Sequence, residues 1–202
     1  MEVKDEVERA RGQLDLGTKY RLGGGKTKPR GTTCQDEDNG CDCSAFVCWV
    51  LRLPKWQDDE IWYLNELNDG WLNTDGMWLD AKRSFGFFEE LDFPLPGALV
   101  VYPAHRGKMG LPSTPGPKIG HVGIVTEVSR RQNTRAGRRG SLDDVEFVPT
   151  DVKQVVHCSA GNFRGWGDAI KETDAAVFDR KRSTIYAWPS SVRPAIPVNL
   201  RA

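Results

Sequence analysis

The stretch Asp42-Cys43-Ser44-Ala45-Phe46-Val47-Cys48-Trp49-Val50-Leu51-Arg52-Leu53-Pro54 decides how this chain is read. Aspartate ahead of an apolar run accepts backbone N–H bonds as an N-cap, residues 43–52 supply the apolar turns, and Pro54 cannot continue the hydrogen-bond ladder. The stretch therefore predicts a helix with a thiol in its first turn. The partial positive charge of the unpaired N–H groups at that position favours the anion, so Cys43 is expected to have a lowered pKa.

Upstream, Val3, Val7, Ala10 and Leu14 recur at helical spacing and predict an amphipathic N-terminal helix that stops near Gly17. Residues 23–40 are polar and glycine-rich and read as an exposed loop. Downstream, residues 55–92 carry Trp56, Trp62, Trp71 and Trp78 among acids and leucines, with Asn-Asp-Gly near 70 and Asp-Gly at 75 as breaks. They read as a tryptophan-rich helical insert. Short β-branched runs predict strands at 98–102, 120–129, 152–158 and 184–188, separated by a Pro/Gly loop at 103–118 and an arginine-rich hairpin loop at 130–139. Helices first and strands later indicate an α+β fold rather than alternating βαβ units, with residues 1–202 read as one domain.

Twenty-eight basic residues balance twenty-eight acidic ones, so the chain has no net field to draw it to nucleic acid or an anionic membrane. The longest apolar run, residues 45–51, is too short to span a bilayer, and the charged start MEVKDEVERARG has no apolar core of a secretory signal. Five cysteines, at 34, 41, 43, 48 and 158, leave one sulfur unpaired in any intrachain disulfide scheme.

Three histidines are available, His105, His121 and His157, and the last two fall in predicted strands. A histidine near Cys43 would take the thiol proton and return one to a leaving amine, while a second polar group holds its tautomer. The residues alone fit either such a pair or two satisfied core histidines. Four ordered stretches add to this: Lys19-Tyr-Arg-Leu-Gly-Gly24, Asp42-Cys-Ser-Ala-Phe-Val47, Gly120-His-Val-Gly-Ile-Val125 and Val155-Val-His-Cys-Ser-Ala160. Together they resemble the signatures of the NlpC family of cell-wall cysteine peptidases.

That resemblance implies a papain-like α+β fold with a central antiparallel sheet and the nucleophile on a helix packed against it. It implies Cys43 as nucleophile, His121 as general base and His157 as the group that orients His121. Tyr20 would help hold the reacting carbonyl, and Asp42 and Ser44 would contact a substrate amine and the oxyanion side. The implied reaction is hydrolysis through a Cys43 thioester, needing no metal or organic cofactor. The implied partner is a peptidoglycan stem peptide, cut most often between D-glutamate and a diamino acid. Delivery by phage release or a secretion machine, or a trimmed leader, would fit the absent signal; an immunity or delivery partner is possible and its identity unknown. Ala45 stands where the family usually has glycine, and Ala98 where it usually has aspartate.

Other readings compete. A silent wall- or partner-binding module and a thioester acyltransferase would use the same fold. Cys34, Cys41, Cys43 and Cys48 lack the paired knuckles of a zinc site, although a Cys34–Cys41 disulfide is conceivable; Cys48 and Cys158 read as buried apolar residues. Residues 36–40 read as a solvated turn rather than a calcium loop. The arginines at 130–139, without interleaved aromatics, read as solvated, and the four tryptophans as packing anchors.

Overall fold

Helix α2, Cys43–Val50, is apolar on every side, and all eight of its residues are buried. A helix of that kind belongs in the middle of a fold. The computed structural model describes residues 3–57, 61–104, 107–112, 119–133, 146–179, 181 and 183–190. Before α2 come α1 (Val3–Arg11), β1 (Lys19–Tyr20) and β2 (Gly40–Cys41). After it come α3 (Trp62–Asn68), α4 (Thr74–Arg83), β3 (Phe88–Leu91), β4 (Leu99–Tyr102), β5 (His121–Asn133), β6 (Glu146–Cys158), α5 (Ala160–Trp166), β7 (Ile170–Thr173), α6 (Ala176–Asp179) and β8 (Ile185–Pro189). The fold is α+β, as its element order predicts.

The main sheet has six strands in the order β3-β8-β4-β5-β6-β7, and every pairing in it is antiparallel. β1 and β2 form a separate parallel pair that sets Tyr20 opposite Cys41. Side chains alternate across the main sheet. Leu99, Val101, Val122, Ile124 and Val156 join the larger core with α2, whereas Val100, Tyr102, Val125, Val155 and Phe178 of α6 form a second cluster. No helix among the described residues is long and apolar enough to cross a membrane.

Several expectations need correction. α1 ends at Arg11 rather than near Gly17, because the chain then turns through Asp15 and Gly17, both at positive φ. The break at Asp69-Gly70 is real, with both residues left-handed, but Asp75-Gly76 opens α4 instead of interrupting it. Gly76 donates to the Asn73 cap at 2.9 Å, and a methyl there would meet Leu64 Cδ2 at 2.6 Å. Residues 88–91, read as helical insert, form β3, and the sheet gains β7, a strand missed in the polar run 170–173. The predicted hairpin around 130–139 is longer than expected: Arg130 and Arg131 pair within β5. Arg135, Arg138, Arg139 and His105 lie outside the described residues. Of the tryptophans, Trp78 is buried, whereas Trp56 and Trp62 are exposed and so are not packing anchors.

Candidate active site

The site begins at the N-terminus of α2. Asp42 has the extended backbone of a cap, and its Oδ1 accepts from the Ala45 N–H at 2.7 Å and from the Ser44 hydroxyl at 2.9 Å. Its Oδ2 accepts from Gly23 N–H and from the Lys55 ammonium, both at 2.8 Å. Lys55 also donates to Gly24 O at 3.1 Å, and both ends of the ion pair are buried. A carboxylate with four donors has no vacant direction for a substrate amine, so that expectation for Asp42 is corrected: it organises the helix start and the loop at Gly23. The Ser44 hydroxyl likewise gives its proton to Asp42, which corrects its expected oxyanion contact.

The Cys43 thiol is buried, and the N–H groups of Val122 and Ser44 favour its anion. Its pKa is nevertheless pushed up to about 12, first by burial and then by the Asp42 charge, with Lys55 acting the other way. The expected lowering fails because desolvation of a thiolate outweighs one helix terminus.

His121 and His157 come together. His121 Nε2 lies 2.8 Å from His157 Nδ1, with the two rings nearly perpendicular. On its far side His157 Nε2 lies 3.0 Å from Thr173 Oγ1, whose own proton goes to Asp174 O at 2.9 Å. Thr173 therefore meets His157 as an acceptor. By that count His157 carries its proton on Nε2, His121 donates from Nε2, and His121 Nδ1 is left with its lone pair. Burial pushes both imidazoles well below the ordinary histidine range, His157 further depressing His121. Both rings are neutral at physiological pH.

The neighbours hold this arrangement. Phe178 stacks on His121 at 5.2 Å between centroids and meets His157 edge-on. Asn162 Nδ2 donates to His157 O and Ala169 O, both at 3.2 Å. Gly123 explains itself here: a methyl on it would meet Val155 Cγ1 at 2.5 Å and His157 Cβ at 3.0 Å. Among the described residues no hydrogen bond joins the Cys43 thiol to either imidazole. The link between them is Val122, the residue after His121, whose N–H favours the Cys43 anion.

The family model for the CHAP domain matches residues 34–137, just over half of the 202-residue chain. The chain belongs to the CHAP domain family. CHAP domains are generally hydrolase domains that act on peptidoglycan, and they occur in NlpC/P60-like and amidase hydrolases, in keeping with the resemblance carried by the four motifs. Among curated proteins the comparison finds no match.

Within this CHAP domain, two tyrosines sense Cys43. The Tyr20 hydroxyl has its pKa raised by burial and then by Cys43. Tyr102, opposite His121 in the β4–β5 register, is pushed up to about 12 by the same two causes in the same order. Tyr102, Lys55 and Thr173 were not singled out from the sequence. Tyr102 closes a predicted strand, but its place beside His121 depends on register, and nothing local marks Lys55 or Thr173. Ala45, a departure from the NlpC pattern, is matched by Gly25: a methyl at Gly25, which has φ +96°, would collide with the Ala45 Cβ.

Proposed function

We propose that this CHAP domain hydrolyses an amide bond of the peptidoglycan stem peptide through a Cys43 thioester, on a papain-like fold. The bond proposed is the one between D-glutamate and the diamino acid. Support comes first from the contact between His121 Nε2 and His157 Nδ1, backed by Thr173, which leaves the His121 Nδ1 lone pair as the proton acceptor.

The thiol and imidazole both rest neutral, so the proton leaves Cys43 as the sulfur attacks the carbonyl rather than beforehand. His121 then gives that proton to the departing amine, and water, deprotonated by His121, releases the acyl group. The Cys43 N–H, at the start of α2, meets the developing oxyanion, and the Tyr20 hydroxyl assists. His157 and Thr173 hold His121 in one tautomer while its charge appears.

The test is mass spectrometry of peptidoglycan fragments, with diaminopimelate-type and lysine-type stems in parallel, after incubation with wild type and Cys43→Ala. Cleavage by wild type alone, at the D-glutamyl bond, is expected. Fragments from both proteins would remove Cys43 from the chemistry, and no fragments from either, with the fold intact, would replace hydrolysis by binding.

A further inference from the structure

A cavity of about 370 Å³ opens beside the proposed base, lined by Tyr102, Ala176, Val177 and Lys181. Strand register sets it there. Tyr102 ends β4 directly opposite His121 of β5, so the two side chains share one face of the sheet, with ring centroids 6.2 Å apart. Phe178 of α6 fills the space between them: it is fully buried, stacked on His121 and edge-on to Tyr102 at 5.9 Å. Its chain neighbours make the rest of the wall. Ala176 and Val177 precede it in α6, and Lys181 follows in a turn closed by Lys181 N–H to Phe178 O at 3.1 Å.

Two polar groups face this otherwise apolar lining, the Tyr102 phenol and the Lys181 ammonium. Lys181 is half-buried, and its Nζ lies over the Tyr102 ring, 5.8 Å from the centroid. Lys55, Lys82, Lys153 and Lys171 each have a carboxylate in ion-pair contact. Among the described residues Lys181 has none: Asp174 accepts from the Ala176 N–H at 3.0 Å at the start of α6, and Asp179 is exposed without pairing to it. A half-buried cation over an aromatic face complements an anionic group, and the apolar walls suit a carbon chain that carries one.

We infer that this cavity is a carboxylate subsite on the leaving-amine side of the scissile bond, with Lys181 as its cation. The inference rests on the proposed hydrolysis, in which His121 hands its proton to the departing amine, so the amine side of the stem peptide passes His121. Tyr102 lies next to that path. Two carboxylates on this side have the required chemistry: the one at the tip of a diaminopimelate side chain, which lysine lacks, and the one at the C-terminus of the stem. An extended chain advances about 3.5 Å per residue, so two or three residues span the distance from His121 across Tyr102 to Lys181. Lys181 thus selects among stems and leaves bond breaking to Cys43 and His121.

The experiment titrates four synthetic stem peptides into the full chain carrying Cys43→Ala, followed by NMR. The peptides have diaminopimelate or lysine at the diamino position, each with a free or an amidated C-terminus. Removing the carboxylate that Lys181 holds weakens binding about tenfold, the worth of one charge-assisted contact, and the carboxylate whose loss does so identifies the source. Lys181→Met on the same background brings the peptides to equal affinity, whereas Lys181→Arg keeps the preference. Affinities indifferent to both carboxylates, a preference that survives Lys181→Met, or no binding of any peptide overturns the inference. Cleavage by the wild-type protein is scored separately. Cleavage without carboxylate preference removes the subsite alone, and carboxylate-dependent binding without cleavage removes the hydrolysis alone.

Discussion

Thr173 Oγ1 receives the His157 Nε2 proton at 3.0 Å only because its own proton is committed to the Asp174 carbonyl at 2.9 Å. One hydroxyl thereby sets the direction of the whole relay to His121. Thr173→Val keeps the shape and removes the acceptor, so kcat falls about tenfold, the worth of one hydrogen bond to a group that becomes charged, with KM unchanged. Thr173→Ser restores it. Steady-state kinetics on a soluble stem peptide checks both, and a parallel rise in KM would assign Thr173 to substrate binding instead.

Cys43 is a protonated, buried thiol whose pKa is pushed up to about 12. Alkylation by iodoacetamide, followed at the Cys43 peptide, rises with pH by about tenfold per unit from 7 to 10 without a plateau near the ordinary thiol value. A plateau near pH 7 would reveal a preformed ion pair.

The buried pair Asp42–Lys55 makes a stability prediction. Lys55→Met leaves the Asp42 carboxylate desolvated and unpaired, at a cost of about 3 kcal/mol in urea unfolding. Asp42→Asn added to Lys55→Met recovers part of that loss, since asparagine still caps α2 and carries no charge.

Protonation of the His121–His157 pair sets the acid limit. Both folded pKa values lie below the ordinary 6.5, so between them and 6.5 the unfolded chain binds more protons than the folded one. The stability these groups contribute is complete above 6.5 and is lost as pH falls towards the folded values, by up to about 2.7 kcal/mol per unit for two protons. Urea midpoints at pH 7, 6 and 5 measure the slope, and His157→Gln halves it.

Gly123→Ala places a methyl against Val155 and His157 in the central strands, costing about 2 kcal/mol and most of the activity. Circular dichroism with the peptide assay distinguishes this from Gly165→Ala, where a methyl meets open space.

What the sequence made legible follows physical range. The Asp42 cap and the all-apolar run behind it are local, so α2 and its thiol could be read directly. Strands β4, β5, β6 and β8 announced themselves by β-branched residues, but β7 is Ile-Lys-Glu-Thr, a sequence that becomes a strand only because β6 offers it an edge. Thr173 went unseen for that reason. The Asp42 role was misread because Lys55, thirteen residues on, supplies the counter-charge through the fold. The lowered Cys43 pKa was misread because burial is a property of the whole core.

The β5–β6 hairpin crosses the end of the segment that matches the CHAP family: residues 34–137 hold Cys43 and His121, while His157 and Thr173 lie beyond it. A fragment cut at that boundary would retain both of the side chains proposed to react. Its imidazole, however, would be free to move its single proton between two nitrogens and to turn in its socket. The half proposed to attack and the half that would fix which nitrogen attends to it are thus encoded in separable stretches, and only their pairing would make the proposed base a directed one.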